Sequence, residues 1–178
     1  MTEYAGPRTV AANANAPPSA VSDGRISVPE PALEVMCTDA RRGYPEEVCG
    51  ILIGRVDGSE RTIERVIPVE NARQDERARR YVIDADILRR VEAEATDSGL
   101  DVIGFYHSHP DHPAVPSAFD REHSWPWYTY IILSVRSGDV VDTRAWQLSD
   151  DRYRFRQITV VHPETSPRNQ PQKRGCNP

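Results

Sequence analysis

The segment Val102-Ile103-Gly104-Phe105-Tyr106-His107-Ser108-His109-Pro110 runs from an apolar strand signal directly into two histidines. In extended chain, residues two apart project from the same face, so His107 and His109 present their imidazoles to one point in space. Ser108, between them, must point the other way, where its hydroxyl needs an internal partner. Upstream, Asp84 stands before Ile87, Leu88, Val91 and Ala95, with Gly99 after them, which predicts a capped amphipathic helix with a glycine stop. Earlier still, residues 48–53, ended by Gly54, and residues 62–69 predict two neighbouring strands joined as a hairpin at Asp57-Gly58. After Ile26 to Val28, a helix starting near Pro29 or Glu30 carries Leu33, Met36, Cys37 and Ala40 on one face and ends at Arg41-Arg42-Gly43. Downstream, residues 131–135, 140–146 and 153–161 are three further strand candidates, separated by Ser137-Gly138 and by residues 149–152. Helices interrupting strands early and a strand meander late predict an α/β or α+β fold, a mixed sheet with helices packed on it.

A chain of 178 residues suits one domain with tails. With 38% hydrophobic and 28% charged residues it can bury a core, which excludes wholesale disorder and a fibrous architecture. Residues 1–24 lack periodic apolar pattern and carry Pro17-Pro18 among small residues, so they read as a flexible leader; residues 163–178 read as a flexible tail, leaving 25–162 as the domain. No apolar run approaches the roughly 20 residues that cross a bilayer, and the leader has neither the basic start nor the apolar stretch of a secretory signal, so no membrane association and a cytoplasmic location are expected. A net charge of -5 argues against nucleic-acid binding. Cys37, Cys49 and Cys176 are odd in number and widely spaced, which offers neither a disulfide framework nor a metal knuckle.

The chemistry concentrates around the histidines. Two neutral imidazoles on one strand face suit a zinc ion, and a catalytic zinc takes a third protein ligand while keeping a position open. Asp111 and Asp120 are the near candidates: Asp111 follows His109 too closely to be sure of pointing inward, whereas Asp120 lies beyond a Pro-containing loop long enough to fold back. A hydrolytic site also needs a base, and Glu46 and Glu47, at the entrance of an early strand, supply carboxylates. Taken alone, a His-x-His pair is more often a surface or core feature, and paired glutamates are more often solvated charges.

Glu47-Val48-Cys49-Gly50, then His107-Ser108-His109-Pro110, and Ser117 and Asp120 beyond a spacing of seven residues, together resemble the JAMM motif of the MPN metallopeptidase family. The similarity extends to Tyr44-Pro45-Glu46-Glu47-Val48-Cys49-Gly50-Ile51-Leu52-Ile53-Gly54 and to Gly104-Phe105-Tyr106, and covers about residues 26–160. The resemblance implies the three-layer, cytidine-deaminase-like fold of that family and a single Zn2+ held by His107, His109 and Asp120. It implies Glu47 as general base and Ser117 as stabiliser of the oxyanion. Cys49, inside an apolar run, reads as a buried strand residue and not as a nucleophile. Asp111 and His112 are either partners that orient the ligands or plain loop residues, and His123, Trp125, Pro126 and Trp127 either wall a substrate groove or pack the loop.

The resemblance further implies hydrolysis of peptide or isopeptide bonds at the C-terminal Gly-Gly of a ubiquitin-like protein. Small bacterial members point to a sulfur-carrier protein or its cysteine adduct as the partner. A deconjugase acting on modified lysines and a non-catalytic scaffold are the alternatives, although scaffolds of this family lose metal ligands that this chain retains. The insertions by which chain-editing members grip a second ubiquitin are short here, at residues 71–80 and 123–128. Arg73, Arg77, Arg79 and Arg80 form either a basic patch for an acidic carrier or a solvated loop.

Overall fold

The computed structural model describes residues 24–163 except position 74; the expected leader and tail lie, but for Gly24 and Pro163, outside the described residues. Ten elements follow in chain order: β1 (Arg25–Ser27), α1 (Glu30–Gly43), β2 (Cys49–Asp57), β3 (Glu60–Val69), α2 (Ala85–Asp97), β4 (Asp101–Pro110), α3 (Ala118–His123), β5 (Thr129–Arg136), β6 (Asp139–Leu148) and β7 (Phe155–Val161). The mixed α/β class is as expected. The strands run in the order β1-β3-β2-β4-β5-β6-β7, and β1 closes the sheet by pairing parallel with both β3 and β7.

Helices cover the two faces of this sheet. Met36 and Ala40 of α1 pack with Leu52, Ile103, Tyr106 and Ile131 on one face. On the other, Val91 and Ala95 of α2 pack with Ile51, Ile53, Val102 and Phe105. Each fully buried Ile or Leu in these clusters contributes about 1.5–3 kcal/mol relative to exposure. The expected cap of α2 is present, Asp84 Oδ1 accepting from the backbone N–H groups of Asp86 (2.8 Å) and Ile87 (3.2 Å).

The β2–β4 ladder positions the site. Its register pairs Leu52 with Gly104 and then Ile53 with Val102, so Ile103 is the extra residue of a β-bulge. The bulge turns Ile103 to the α1 face and leaves Val102 and Phe105 both on the α2 face. Beyond it, alternation carries His107 and His109 to the same side as Phe105, while Tyr106 points to α1 and donates its O–H to Asp39 Oδ2 at 2.6 Å.

The strand carrying the histidines is longer than the 102–106 signal because β5 runs parallel beside it through the whole motif, from Gly104 opposite Thr129 to Pro110 opposite Val135. Conversely, β7 starts at Phe155 and not at Tyr153, because Ser149 to Arg154 close a turn with Arg152 N–H donating to Ser149 O at 2.8 Å. The hairpin at Asp57-Gly58 is as read, with Gly58 at φ 58°.

Gly104 leaves room for β5 to approach β4: a Cβ built there would lie 2.0 Å from the Thr129 carbonyl oxygen, a backbone atom that cannot swing aside. Gly104→Ala is therefore expected to lower unfolding stability by about 1–3 kcal/mol, measured by chemical denaturation. An unchanged midpoint would show that the two strands can separate freely.

Candidate active site

Glu47 precedes β2 by two residues, and Cys49 pairs with His107, so strand alternation puts Glu47 on the face of the two histidines. Its backbone is held from both sides: Glu47 N–H donates to Arg77 O at 2.7 Å, and its carbonyl accepts from Asn71 Nδ2 at 3.2 Å. Asn71, itself buried, also donates to Arg80 O (2.9 Å) and accepts from Val82 N–H (3.1 Å), so one side chain clips the β3–α2 loop onto Glu47.

After β4 the chain returns through a loop moored at three points. Asp111 N–H donates to Val135 O (2.7 Å), Ser134 Oγ to His112 O (2.6 Å) and Trp146 Nε1 to Ala114 O (3.0 Å). Ser117 then starts α3 with a capping box: its Oγ accepts from Asp120 N–H at 3.1 Å and its own N–H donates to Asp120 Oδ2 at 2.6 Å. The cap thus fixes the Asp120 carboxylate, which turns toward the histidines with Oδ1 3.3 Å from His107 Nε2 and Oδ2 3.7 Å from His109 Nε2.

His107, His109 and Asp120 are all buried, and their candidate ligand atoms lie within 4.8 Å of one another. The two Nε2 atoms face each other at 3.0 Å. His109 Nδ1 lies 2.8 Å from the Pro113 carbonyl, a bond that needs the proton on Nδ1 and so leaves the Nε2 lone pair of the neutral ring directed inward. Among the described residues His107 Nδ1 has no hydrogen-bond partner; its ring instead stacks on Tyr81, centroids 4.6 Å apart. Two nitrogens and a carboxylate converging in this way fit a three-ligand zinc set.

The charges reinforce one another. Burial works against ionisation of Asp120, but the neighbouring His107 and the bonds to His107, His109 and Ser117 outweigh it and hold the carboxyl well below the usual range. Burial lowers His107 and also opposes charge on His109, where the bonds to Asp120 and Pro113 prevail and raise it. Glu47 is 6% exposed, and burial, opposed by His109 and aided by Asp120, pushes its carboxyl up to about 8.

Glu47, His109 and Ser117 share the wall of one cleft of about 670 Å³. The five residues of the sequence motif are therefore brought into one neighbourhood. Asp111 is not: at φ 55° it turns outward and accepts from the Tyr44 O–H at 2.9 Å. His112 lines the cleft beside the motif. Ser108 has the internal partner its position demands, accepting from Val48 N–H at 3.0 Å. Burial pushes the Cys49 thiol up to about 12, in keeping with a packing residue. Trp127 packs edge-on against Tyr128 and under the Arg61 guanidinium, and Trp125 lies under Arg152, so both help seat the loop after α3. Trp125 and His123 also line a separate, mostly apolar pocket of about 240 Å³ behind Asp120.

Two residues were not singled out from sequence. Tyr81 is the aromatic against His107, and its signal was an aromatic isolated between the arginines and Val82. Asn71 is the clip, with no signal beyond a turn-forming residue after a strand.

The chain belongs to the family described as prokaryotic homologs of the JAB domain, whose model matches residues 29–149. It is 38% identical over 119 residues to the desampylase of Haloferax volcanii, covering 64% of this chain and 84% of that protein. It is 30% identical over 130 residues to the CysO-cysteine peptidase of Mycobacterium tuberculosis, covering 72% and 86% respectively. The solution structure of a protein from Salinibacter ruber superposes with a TM-score of 0.60 at 40% identity, covering 79% of this chain and 92% of that one. Peptidase chemistry is thus established among relatives of this domain. Among the described residues no helix is long and apolar enough to cross a membrane.

The raised Glu47 carboxyl has a consequence for metal-free protein. Its folded value of about 8 exceeds the ordinary 4.5, so the fold favours the protonated form and loses stability as pH rises from about 4.5 through about 8. Glu47→Gln escapes this loss. In chelator-treated protein the variant is expected to melt several degrees above wild type at pH 9, with the gap closing by pH 5; a gap independent of pH would contradict the buried, protonated carboxyl.

Proposed function

We propose that this chain is a zinc-dependent metallopeptidase that hydrolyses the peptide or isopeptide bond following the C-terminal Gly-Gly of a ubiquitin-like protein, with a sulfur-carrier protein or its cysteine adduct as substrate. The observation that carries the reading is the convergence of His107, His109 and Asp120 beside a buried Glu47. The mycobacterial relative, named for CysO-cysteine, supports an adduct as substrate.

His107, His109 and Asp120 would hold the ion. When bound, Zn2+ supplies Lewis-acid polarisation of the scissile carbonyl and of the attacking water. Glu47 takes the proton of that water; oxygen bonds to the glycine carbonyl carbon, the C–N bond breaks, and Glu47 returns the proton to the leaving amine. Ser117 Oγ already accepts from Asp120 N–H, which leaves its O–H to donate to the oxyanion. The ordered cap also keeps that donor from reorienting between ground and transition states.

Glu47→Ala is expected to keep bound zinc near one equivalent while lowering kcat by about 10²-fold or more, followed by intact-mass analysis of a carrier extended beyond Gly-Gly. Loss of zinc in that variant would place Glu47 among the ligands instead. Asp120→Ala should reduce zinc content measured by elemental analysis, whereas Asp111→Ala should retain it; the reverse pattern would move the third ligand to Asp111.

A further inference from the structure

The β3–α2 loop carries four arginines, and three are committed to acids. Arg73 pairs with Asp75 (3.0 Å) and Glu76 (3.4 Å), and Arg77 with Glu46 (2.9 Å). Arg80 pairs with Glu76 and lies over the Phe119 ring, 5.0 Å from its centroid. Arg79 forms no ion pair with an acid among the described residues. Its backbone N–H closes a turn onto Glu76 O at 2.9 Å, and its exposed side chain stands on the wall of the cleft that Glu47, His109 and Ser117 also line.

We infer that Arg79 determines specificity by binding the free α-carboxylate of a leaving group one residue long, so that the preferred substrate is a single amino acid joined through its α-amine to the carrier and not a lysine isopeptide. This rests on the peptidase reading above and deepens it.

The argument is one of reach and charge. With the scissile carbonyl between Glu47 and His109, the leaving amine nitrogen is two covalent bonds from the carboxylate carbon of its own residue, so that anion stays within the same cleft. The cleft is cationic there: Arg79 and Arg80 face it, Glu47 is its only acidic wall residue among the described residues, and Arg80 is already engaged by Glu76. A guanidinium fork matches a carboxylate with two parallel N–H donors. A lysine leaving through Nζ brings four methylenes and no anion to that position, and a longer extension carries an amide there instead. Arg79 thus discriminates among bonds that the hydrolytic residues alone would treat alike.

The test uses the zinc-loaded full chain and three substrates built on one sulfur-carrier protein from the same genome. The carrier is extended beyond Gly-Gly by a single cysteine with a free carboxylate, by the same cysteine as its carboxamide, or joined through an isopeptide bond to lysine amide. Wild type is expected to favour carboxylate over carboxamide by tenfold or more in kcat/KM, mostly through KM. Arg79→Gln should bring that ratio close to one, and Arg79→Lys should leave it between the two. A wild-type ratio near one, or an Arg79→Gln variant that slows both substrates equally and keeps the ratio, overturns the inference. Efficient cleavage of the isopeptide alone overturns it while preserving the peptidase reading; cleavage of none of the three overturns both.

Discussion

The placement of Glu47 against His107 and His109 hangs on the register of two antiparallel strands. With Cys49 opposite His107, strand alternation puts Glu47 on the face where His107 and His109 stand. A slip by one residue would send the carboxylate to the α1 face, among Leu52 and Tyr106 and away from both histidines. The bulge at Ile103 is part of that constraint. It absorbs one residue before the motif, so that the apolar core beneath the histidines and the histidines themselves come out on the same side. The fold therefore stands the two histidines on β4, a strand flanked on both edges by β2 and β5.

The third member of the candidate ligand set arrives by a different device. Asp120 lies on a six-residue helix that could not stand alone, and it is fixed by the cap that starts that helix. Ser117 and Asp120 exchange two hydrogen bonds, and this reciprocity makes the serine and the aspartate a single unit. One consequence is economy of motion: the hydroxyl suited to an oxyanion and the carboxylate suited to a cation are positioned by the same turn of chain.

How far the sequence discloses this can be argued element by element. The helix α1 declares itself by apolar spacing after a proline start, α2 by spacing and its Asp84 cap, and the strands by β-branched runs, because those signals are local. His107 and His109 are legible as a same-face pair for the same reason. The membership of Asp120 rather than Asp111 is not local: it depends on the moorings at Val135, His112 and Ala114 that fold the loop back, and on the turn at Asp111 that points it toward Tyr44. The helix α3 hides because six residues give no periodicity, although Ser-x-x-Asp is itself a helix-start signature. Closure of the sheet is illegible because β1 contributes only three residues, held by partners far along the chain.

Asn71 joins the loop that bears Tyr81 and the arginines to the main chain of Glu47. The surface that would meet a partner and the base that would move a proton thus share one anchor. In this chain a replacement β3–α2 loop that lacked Asn71 and its bonds would shift the placement of the base, so a change of client would carry a change of turnover with it.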